Sequence, residues 1–520
     1  MEASCIRQTE LPHTTRLFAD LIYHRDRVAQ FYPSPSYEHA ASRINFSTGQ
    51  RAALVSALRA RNGDGALLDL LAKPGTVAVV TGQQVGLFSG PAYTIYKALT
   101  AVKLARELTA RDIPAVPIFW LATEDHDFAE VNHAWMFDRE YQPHELRVES
   151  TAGANQPVGE VDLDGVPVDR LAGILHGLPF ADEIVERLRS AYAKGRNFGE
   201  AFGALTRDLL GSHLMLQIDP MSAAVRQLAA PLMRDAVAAA PELTRELLAR
   251  NRELVAAGYH AQVHVEESTS LFFLLENGKR IGLRRQNGEY VSQGRRFSVE
   301  ELQDRADQLS PNALLRPVMQ DYMLPTVAYV GGPAELAYLA QSQVLYRHLL
   351  GRQPVALHRS GFTVLDAHSR KLMARYHLEL PDFFHGEEAL RRKIAERLVP
   401  PSVAKTMQAT KDTAGNLIQR LSAELNRFDP TLARALAKSQ RKIEFQISKI
   451  ERKVGNQAIA RDERAGHDAR SLSGLIYPNK HLQERLYSIV PLIAKHGPGL
   501  VDEIYENVRL DCPDHQMLVV

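Results

Sequence analysis

Residues 76–91 read TVAVVTGQQVGLFSGP, a short β-branched run that leads into a glycine-rich segment. Val77–Val80 has the uninterrupted apolar character of a strand that is buried on both faces. Residues 91–111 follow with apolar side chains at helical spacing, and Val116–Leu121 is a second apolar run. Strand, helix and strand within about 45 residues predict a βαβ unit, with parallel strands and a right-handed crossover.

The rest of the chain extends this α/β pattern in both directions. Residues 1 to about 75 have helical spacing, and further strands are predicted at Leu214–Ile218, Thr326–Val330 and Pro354–Val364. Asn277-Gly278 and Asn287-Gly288 separate alternating segments, and Asn-Gly is the strongest short signal for a hairpin. We therefore predict an α/β fold with a parallel-sheet core and an antiparallel β-meander inserted at about 260–295.

Two neighbouring segments near the C-terminus carry apolar residues at alternating steps of three and four. The first seam runs from Val403 to Phe428 and the second from Leu432 to Val454, with Asp429-Pro430-Thr431 between them. Such heptad seams are typical of a coiled coil, and the proline ends the first helix. We predict an antiparallel α-helical coiled-coil hairpin; two ordinary amphipathic core helices are the alternative.

These patterns divide the chain into three parts. Residues 1–385 are predicted as the core with its helical N-terminal segment and inserted meander, 386–470 as the coiled-coil hairpin, and 471–520 as a C-terminal segment packing on the core. A chain of 520 residues is too long for one hydrophobic core, which agrees with this division.

Composition excludes several classes of protein. The formal net charge is +1, from 62 basic and 61 acidic residues. The chain therefore lacks the excess of positive charge that binds nucleic acid or an anionic membrane. Cys5 and Cys512 form no C-x-x-C pair, which excludes a disulfide framework and a cysteine zinc site. There is no signal-peptide pattern and no apolar run long enough to cross a membrane. We expect a cytoplasmic protein without nucleic-acid or membrane partners.

The glycine-rich segment leaves a strand and enters a helix, which is where open α/β sheets bind ligands. Gly90 and Pro91 fit the N-cap and first position of that helix, which would leave amides open to an anion. The glycines match neither the dinucleotide fingerprint nor the phosphate loop, and a tight turn with packing glycines is the alternative. The candidate substrate-binding residues here are Thr81, Gln83, Gln84, Gly86, Ser89, Gly90, Tyr93, Thr94 and Lys97.

A second candidate cluster, Glu124-Asp125-His126-Asp127, directly follows the predicted strand at 116–121. Carboxylates around an imidazole suit acid–base catalysis, ammonium binding or a hard cation, whereas a loop of solvated charges is the alternative. H-E-x-x-H is absent, and no metal site is predicted. Farther along, Gly331-Gly332-Pro333 repeats the strand–glycine–helix arrangement, and Glu335 is either a helix cap or a substrate-binding residue.

Several of these segments resemble the motifs of the bacillithiol synthase family, the family of the cysteine-adding enzyme of bacillithiol biosynthesis. The resemblance rests on residues 80–97, residues 119–133, Gly331–Glu335 with Tyr338, and Tyr477–Arg485. It spans nearly the whole chain, including the hairpin, where family members have a coiled coil. It adds Asn132 as a candidate for substrate binding, and as candidates for cofactor binding it adds Tyr477, Asn479, Gln483 and Arg485.

The resemblance implies a Rossmann-like core with inserted connecting segments, a coiled-coil arm and a homodimer formed through that arm. It also implies a ligase that joins L-cysteine, through its carboxyl group, to the amine of glucosaminyl malate. The family core is similar to class I aminoacyl-tRNA synthetases, but their H-x-G-H and K-M-S-K-S motifs are not found here. ATP with Mg²⁺ is expected because a carboxylate must be activated, and no motif indicates it.

This chemistry assigns roles to the candidates. His126, flanked by Asp125 and Asp127, is the expected general base, while Glu124 or Asp127 would hold the cysteine ammonium. Gln83, Gln84 and the open amides after Gly90 would hold carboxylate or phosphate oxygens, helped by Lys97. The malyl carboxylates need cations, for which Arg284, Arg285 and Arg359 are available.

Two other functions remain open at this point. The first is a metal-dependent hydrolase that uses the carboxylates of Glu124–Asp127. The second is a non-catalytic nucleotide- or sugar-binding protein whose coiled-coil arm recruits partners.

Overall fold

The computed structural model describes residues 4–149 and 152–520. Its central sheet has five parallel strands: β1 (Val77–Gln84), β2 (Ala115–Ala122), β3 (Leu216–Ile218), β4 (Thr326–Gly331) and β5 (Val355–His358). The strands lie in the order β5-β4-β1-β2-β3. This is the Rossmann order 3-2-1-4-5, so the predicted parallel α/β core is confirmed.

The sequence of the central strands explains why they are buried on both faces. Val79 and Phe119 pack into one hydrophobic cluster, whereas their neighbours Val80 and Trp120 pack into another on the opposite face. Alternate residues of a strand point to opposite faces, so a strand covered by helices on both sides must be apolar throughout. Helix α1 (Tyr93–Ala110) connects β1 to β2, and helix α2 (Pro333–Leu349) connects β4 to β5.

Further helices surround this sheet before the meander. Before β1 they are Arg16–Tyr23, Tyr37–Ser42, Thr48–Asn62 and Ala66–Ala72. Between β2 and β3 they are Phe128–Val131, Val168–Leu175, Ala181–Ala191 and Phe198–Leu210, together with an antiparallel pair of strands, His133–Phe137 and Pro143–Arg147. A 34-residue helix, Ala223–Ala256, follows β3.

The inserted meander is a five-stranded antiparallel sheet. Its strands are Thr269–Glu276, Lys279–Gln286, Glu289–Ser292, Arg295–Phe297 and Leu309–Pro311. Asn277 and Gly278 have φ of 53° and 70°, as the tight hairpin turn requires, and Asn287 and Gly288 form the same turn. Both predicted hairpins therefore form, and the sheet continues beyond residue 295 through a return strand that ends at Pro311. Helices Val299–Asp304 and Arg316–Met323 flank that return strand.

One predicted strand is in fact two. The run from Pro354 to Val364 is interrupted at Arg359 and Ser360, so Val355–His358 joins the central sheet and Gly361–Leu365 joins a different one. In that second sheet, His515–Val519 lies between Gly361–Leu365 and Ser4–Ile6. The chain ends are thus neighbours, a pairing that no local pattern indicates.

The predicted hairpin consists of helices α3 (Pro401–Phe428) and α4 (Pro430–Arg461), which break at Asp429. Only Ile418 and Ile459 are buried among the residues of these two helices, which excludes the alternative of two core helices. Six shorter helices complete this half of the chain: Ala367–Tyr376, Glu387–Leu398, Glu463–Ile476, Gln483–Leu486, Val490–His496 and Leu500–Asn507. Within the described ranges, no helix is both long and apolar enough to cross a membrane.

Candidate active site

A cavity of about 750 Å³ lies at the carboxyl edge of the central sheet. Its lining includes Gln83 at the end of β1, Ala122 at the end of β2 and Gly332 directly after β4. From β1 the chain continues toward β2, whereas from β4 it continues toward β5 on the other side. Open α/β sheets bind ligands where the strand order reverses in this way.

Two distant parts of the chain complete the cavity walls. The meander contributes Phe273 and Arg280, and the C-terminal segment contributes Arg485. A smaller pocket of about 350 Å³, lined partly by Gly86, Gly90 and Asn479, adjoins the cavity. The residues common to both linings are Gln83, Gln84, Tyr93, Glu130 and Arg485.

The ammonium of Lys97 is buried at the base of the cavity. Its Nζ donates to Gly82 O at 2.5 Å, to Gln83 Oε1 at 3.1 Å and to Glu335 Oε2 at 2.6 Å. Burial lowers the pKa of Lys97, and the carboxylate of Glu335 opposes that shift. Only 1% of this side chain is exposed, so Lys97 is not a solvated surface lysine.

Glu335 is a helix cap, one of the two roles considered for it, and it also lines the cavity. Its Oε2 accepts from the amide of Gly332 at 2.9 Å as a helix cap, while Oε1 accepts from the Tyr329 hydroxyl at 2.7 Å. Burial alone would raise the pKa of Glu335, but Lys97 and these donors hold it below its usual value. The carboxylate therefore caps α2 and lines the cavity as a charged group.

Two of the amides that were expected to be open to an anion at the start of α1 already have partners. The amide of Ala92 donates to Tyr487 O at 2.7 Å, and the amide of Thr94 donates to Pro91 O at 2.9 Å. A Cβ on Gly86 would approach the Cα of Gly90 to 3.0 Å, so these glycines pack against each other. The alternative of a tight turn with packing glycines is therefore the better account of residues 86–91.

Glu124 is a buried carboxyl group that lines the cavity and is 3% exposed. Its Oε2 accepts from the Ser310 hydroxyl at 2.8 Å, while Oε1 has no hydrogen-bond partner among the described residues. Burial raises the pKa of Glu124, although the nearby Arg280 guanidinium opposes the shift. A half-satisfied carboxyl facing a cavity is well suited to accept a proton or a donor group from a ligand.

The neighbours of Glu124 are divided between the cavity and the loop behind it. Asp125 lines the cavity, where Gln84 Nε2 donates to it at 2.7 Å. Arg280 Nη1 donates to His126 Nδ1 at 3.1 Å, and because arginine is only a donor, this ring nitrogen is an acceptor already in use. Burial and Arg280 lower the pKa of His126. Neither His126 nor Asp127 is among the cavity-lining residues, so this geometry does not support the expected general base.

Two arginines bring positive charge to the far side of the cavity. Arg359 lies over the ring of Tyr93 at 5.1 Å, and both of its terminal nitrogens donate to the buried carboxylate of Glu484, at 2.8 and 2.6 Å. The side chain of Arg485 makes no hydrogen bond or ion pair with the described residues. Arg359 is thus held in place, whereas Arg485 can bind a ligand anion.

The remaining candidates stabilise the fold around the cavity. Thr81 Oγ1 donates to Val330 O at 2.8 Å and so joins β1 to β4. Gln483 Nε2 donates to Val364 O at 3.0 Å, and Asn132 Nδ2 donates to Val148 O at 3.3 Å. Six candidates lie outside the linings of both the cavity and the smaller pocket: Thr81, Ser89, Thr94, Asn132, Tyr477 and Gln483.

Sequence patterns missed two arginines that the fold brings to the cavity, Arg280 and Arg316. Arg316 Nη2 donates at 2.6 Å to the hydroxyl of Tyr338, a lining residue that the family resemblance already included. The Asn-Gly turns predicted the meander that carries Arg280, but not the surface on which it packs. Arg284 and Arg285, offered for the malyl carboxylates, are not among the lining residues.

Two carboxylates of the cavity lining, those of Asp125 and Glu130, meet at the side-chain amide of Gln84. Gln84 Nε2 donates to Asp125 Oδ2 and to Glu130 Oε2, at 2.7 Å each, so these two groups converge on one point. Both residues line the main cavity, and Glu130 also lines the smaller pocket. Mg²⁺ prefers one or two carboxylates together with phosphate oxygens of a substrate.

A parallel sheet in Rossmann order, with a charged cavity where the order reverses and a helical hairpin appended, defines a Rossmann-like protein with a coiled-coil domain. Residues 1–360 match the family model "Bacillithiol biosynthesis BshC, N-terminal Rossmann-like domain". Residues 362–520 match "Bacillithiol biosynthesis BshC, C-terminal coiled-coil domain". The chain belongs to the bacillithiol biosynthesis BshC family.

Curated relatives cover the chain from end to end. One from Solibacter usitatus (strain Ellin6076) is 58% identical over 525 residues, and one from Koribacter versatilis (strain Ellin345) is 35% identical over 534 residues, each covering 100% of both chains. A third, from Salinibacter ruber (strain DSM 13855 / M31), is 31% identical over 97% of this chain and 96% of its own. All three carry the name "Putative cysteine ligase BshC". The predictions of family, fold class and ligase are confirmed.

Proposed function

We propose that this ligase joins the carboxyl group of L-cysteine to the amine of glucosaminyl malate and so forms a carbon–nitrogen bond. Family membership and the cysteine-ligase names of the relatives support the assignment. The observation that carries it is the cavity at the switch point, whose lining includes both a half-satisfied buried carboxyl, Glu124, and the cation of Arg485. Glucosaminyl malate requires both groups, since its amine must lose a proton before it reacts and its malyl part carries carboxylates.

Glu124 is the proton acceptor in this proposal. An amine attacks a carbonyl carbon only after it has lost its proton, so the ligase needs a base beside the incoming nitrogen. The raised pKa of Glu124 increases its affinity for that proton, and its Oε1 is available to take it. Ser310 holds the other oxygen and fixes the orientation of the carboxyl group.

Arg485 binds a malyl carboxylate. A guanidinium matches a carboxylate in two parallel hydrogen bonds, which orients the substrate as well as attracting it. Arg359 adds positive charge nearby, but its nitrogens are engaged by Glu484 and it acts at longer range. This arrangement directs the glucosamine end of the substrate toward the carboxyl edge of β1 and β2.

The carboxyl group of cysteine also needs a leaving group. Bound ATP would supply it by converting the carboxylate into an activated acyl group. Asp125 and Glu130 would hold the accompanying Mg²⁺, while Gln84 keeps the two carboxylates together. The smaller pocket, with Asn479 at its edge, adjoins this point and has room for part of a nucleotide.

A condensation assay tests the proposal. Purified protein is incubated with L-cysteine and glucosaminyl malate, with and without ATP and Mg²⁺, and the products are identified by mass spectrometry. We expect the two substrates joined with loss of water, only when the nucleotide is present. Release of AMP would indicate an adenylate, and release of ADP an acyl phosphate.

The same assay separates the two other functions. Substrate binding without product, for every common nucleotide, would favour the non-catalytic binding protein. Hydrolysis that stops on chelation of a tightly bound metal would favour the hydrolase. Either result would contradict the ligase reaction proposed here.

We further infer that the hairpin pairs two copies of the chain. Its helices leave large apolar side chains uncovered in the single chain, including Leu417 at 59% and Ile450 at 57% exposed. An isolated hairpin in water gains nothing from exposing so many apolar side chains. A second hairpin of the same sequence would bury them. The cytoplasmic location stays a prediction.

A further inference from the structure

The guanidinium of Arg280 donates a hydrogen bond from each of its three nitrogens. Nε donates to Ser310 Oγ at 3.0 Å, Nη1 to His126 Nδ1 at 3.1 Å and Nη2 to Pro311 O at 2.8 Å. Arg280 belongs to the second strand of the meander, whereas Ser310 and Pro311 belong to its return strand and His126 to the loop after β2. One side chain therefore ties these three segments together beside the cavity.

Ser310 connects this guanidinium to the carboxyl group of Glu124. The serine is completely buried, and its hydroxyl donates to Glu124 Oε2 at 2.8 Å. A hydroxyl has one hydrogen, and a guanidinium can only donate. Because Ser310 Oγ accepts from Arg280, its own hydrogen is left for Glu124. The three side chains thus form a chain of hydrogen bonds with a fixed direction.

This direction decides which oxygen of Glu124 takes a proton. A hydrogen on Oε2 would face the hydrogen of Ser310. If Ser310 accepted from a protonated Oε2 instead, its own hydrogen would lose its acceptor among the described residues, which is costly for a buried hydroxyl. Oε1, which has no partner among the described residues, is the oxygen that remains.

We propose that Arg280 is a positioning residue for Glu124: through Ser310 it keeps Oε2 as an acceptor, so that Oε1 takes the proton of the incoming amine. The inference rests on the proposed function, in which Glu124 is the proton acceptor. The proton moves from the ammonium of glucosaminyl malate to Oε1, and the electron pair of that N–H bond stays on the nitrogen for its attack on the acyl carbon. Arg280 acts through Ser310 and not on the substrate.

Charges from several elements also act on Glu124. Burial raises its pKa, and three arginines oppose that shift: Arg280 most strongly, then Arg226 from the long helix after β3 and Arg316 from the helix after the return strand. Asp125, next to Glu124 in the loop, lies 3.7 Å from Arg280 Nη1. Removing the charge of Arg280 should therefore raise the pKa of Glu124 further, whereas a lysine at this position should preserve most of the charge.

Steady-state kinetics of the full-length protein test the positioning role. Arg280→Lys keeps the charge but cannot make the same three hydrogen bonds, so we expect kcat to fall about a hundred-fold while the acidic limb of its pH profile stays in place. Ser310→Ala breaks the same chain with a small change in volume and should also lower kcat. Arg280→Met should in addition move the acidic limb to higher pH. KM for glucosaminyl malate should change little, and Lys279→Met, at the exposed neighbouring residue, is the control.

A double variant separates positioning from a direct role. If Arg280 acts through Glu124, the variant Glu124→Gln/Arg280→Lys should be no slower than Glu124→Gln alone. Losses that multiply, or a raised KM with an unchanged kcat, would show that Arg280 acts on the substrate and would overturn the inference. Full activity of Ser310→Ala would overturn it as well.

Infrared spectroscopy follows Glu124 without turnover. The band of its protonated carboxyl group is identified by its loss in Glu124→Gln. With the proton on Oε1, the C=O bond to Oε2 accepts from Ser310, so Ser310→Ala should move this band to higher wavenumber. An unmoved band would overturn the inference even in an active ligase. A moved band in a protein without ligase activity would support the direction of the hydrogen bonds and contradict the proposed function alone.

Discussion

Lys97 and Glu335 form a buried ion pair, at 2.6 Å, across the point where the strand order of the central sheet reverses. Lys97 lies on the helix after β1 and Glu335 on the helix after β4, so the pair links the two halves of the sheet. Gly82, whose carbonyl oxygen accepts from Lys97, packs closely against β2, since a Cβ there would lie 2.8 Å from Trp120. The charge of Lys97 is balanced within the protein, which limits what it can contribute to a ligand.

Lys97→Met should therefore reduce stability. Removing one partner of a buried pair leaves an uncompensated charge and costs about 3 kcal/mol, which would lower the melting temperature clearly. The double variant Lys97→Met/Glu335→Gln should recover part of the loss, because the amide keeps the cap without the charge. Lys73→Met, at an exposed lysine, is the control. An unchanged melting temperature with a raised KM would instead show that Lys97 serves only to bind substrate.

Glu124→Gln should lower kcat by roughly a hundred- to ten-thousand-fold, as expected when a general base is removed. Glutamine can still accept from Ser310, so the melting temperature should hold or rise. For the wild-type enzyme, activity should increase with pH through the raised pKa of Glu124, because only the ionised form accepts a proton. The variant should lack this limb of the pH profile.

His126→Ala tests whether the general base is Glu124, as the structure indicates, or His126, as the sequence indicated. The Nδ1 of His126 accepts from Arg280 and the ring lies outside the cavity lining, so we expect most activity to remain. Asp127→Asn, in the same loop and also outside the lining, should behave alike. If His126→Ala loses most activity at an unchanged melting temperature while Glu124→Gln does not, His126 is the base.

Arg485→Met should raise the KM for glucosaminyl malate by roughly ten- to a hundred-fold, since a hydrogen bond to a charged group contributes about 1.5–3 kcal/mol. The side chain has no partner among the described residues, so stability should change little. Arg284→Met removes an exposed arginine outside the cavity and should leave KM unchanged. Equal effects of the two substitutions would indicate a general influence of charge.

Ile443→Asp with Ile450→Asp should yield a folded monomer by light scattering. These side chains are 42% and 57% exposed in the single chain, so the charges disturb little within it but prevent apolar pairing between copies. Lys442→Asp with Lys449→Asp introduces the same acidic residues at neighbouring exposed positions and should leave the dimer intact. A monomeric wild-type protein would contradict pairing through the hairpin.

His358 should make the protein sensitive to mild acid. Burial, and then the charge of Arg359, lower its pKa from 6.5 to about 3. Between these values the unfolded state binds a proton that the folded state does not, so stability falls as pH falls, by about 2 kcal/mol at pH 5. His358→Phe should reduce the drop in melting temperature between pH 7 and pH 5, and exposed His39→Phe should not. If the melting temperature falls equally between pH 7 and pH 5 in the wild type and in His358→Phe, protonation of His358 is not the cause of the acid sensitivity.

Local patterns in the sequence were sufficient for the elements that build the fold. The apolar runs of β1 and β2 predicted buried parallel strands, since only strands covered on both faces lack alternation. Asn277-Gly278 predicted its hairpin because both residues adopt positive φ without strain. The break at Asp429-Pro430 divided the two helices of the coiled coil, because proline cannot continue a helix.

Tertiary structure alone decided how these elements meet. The amides of Ala92 and Thr94 looked open in the sequence but donate to Tyr487 and Pro91, and Tyr487 is almost 400 residues away along the chain. Arg280 reaches the cavity because the meander shares a hydrophobic cluster with one face of the central sheet. Periodicity reports which face of an element is buried. The partner of that face depends on packing between residues far apart in the chain, where no local signal exists.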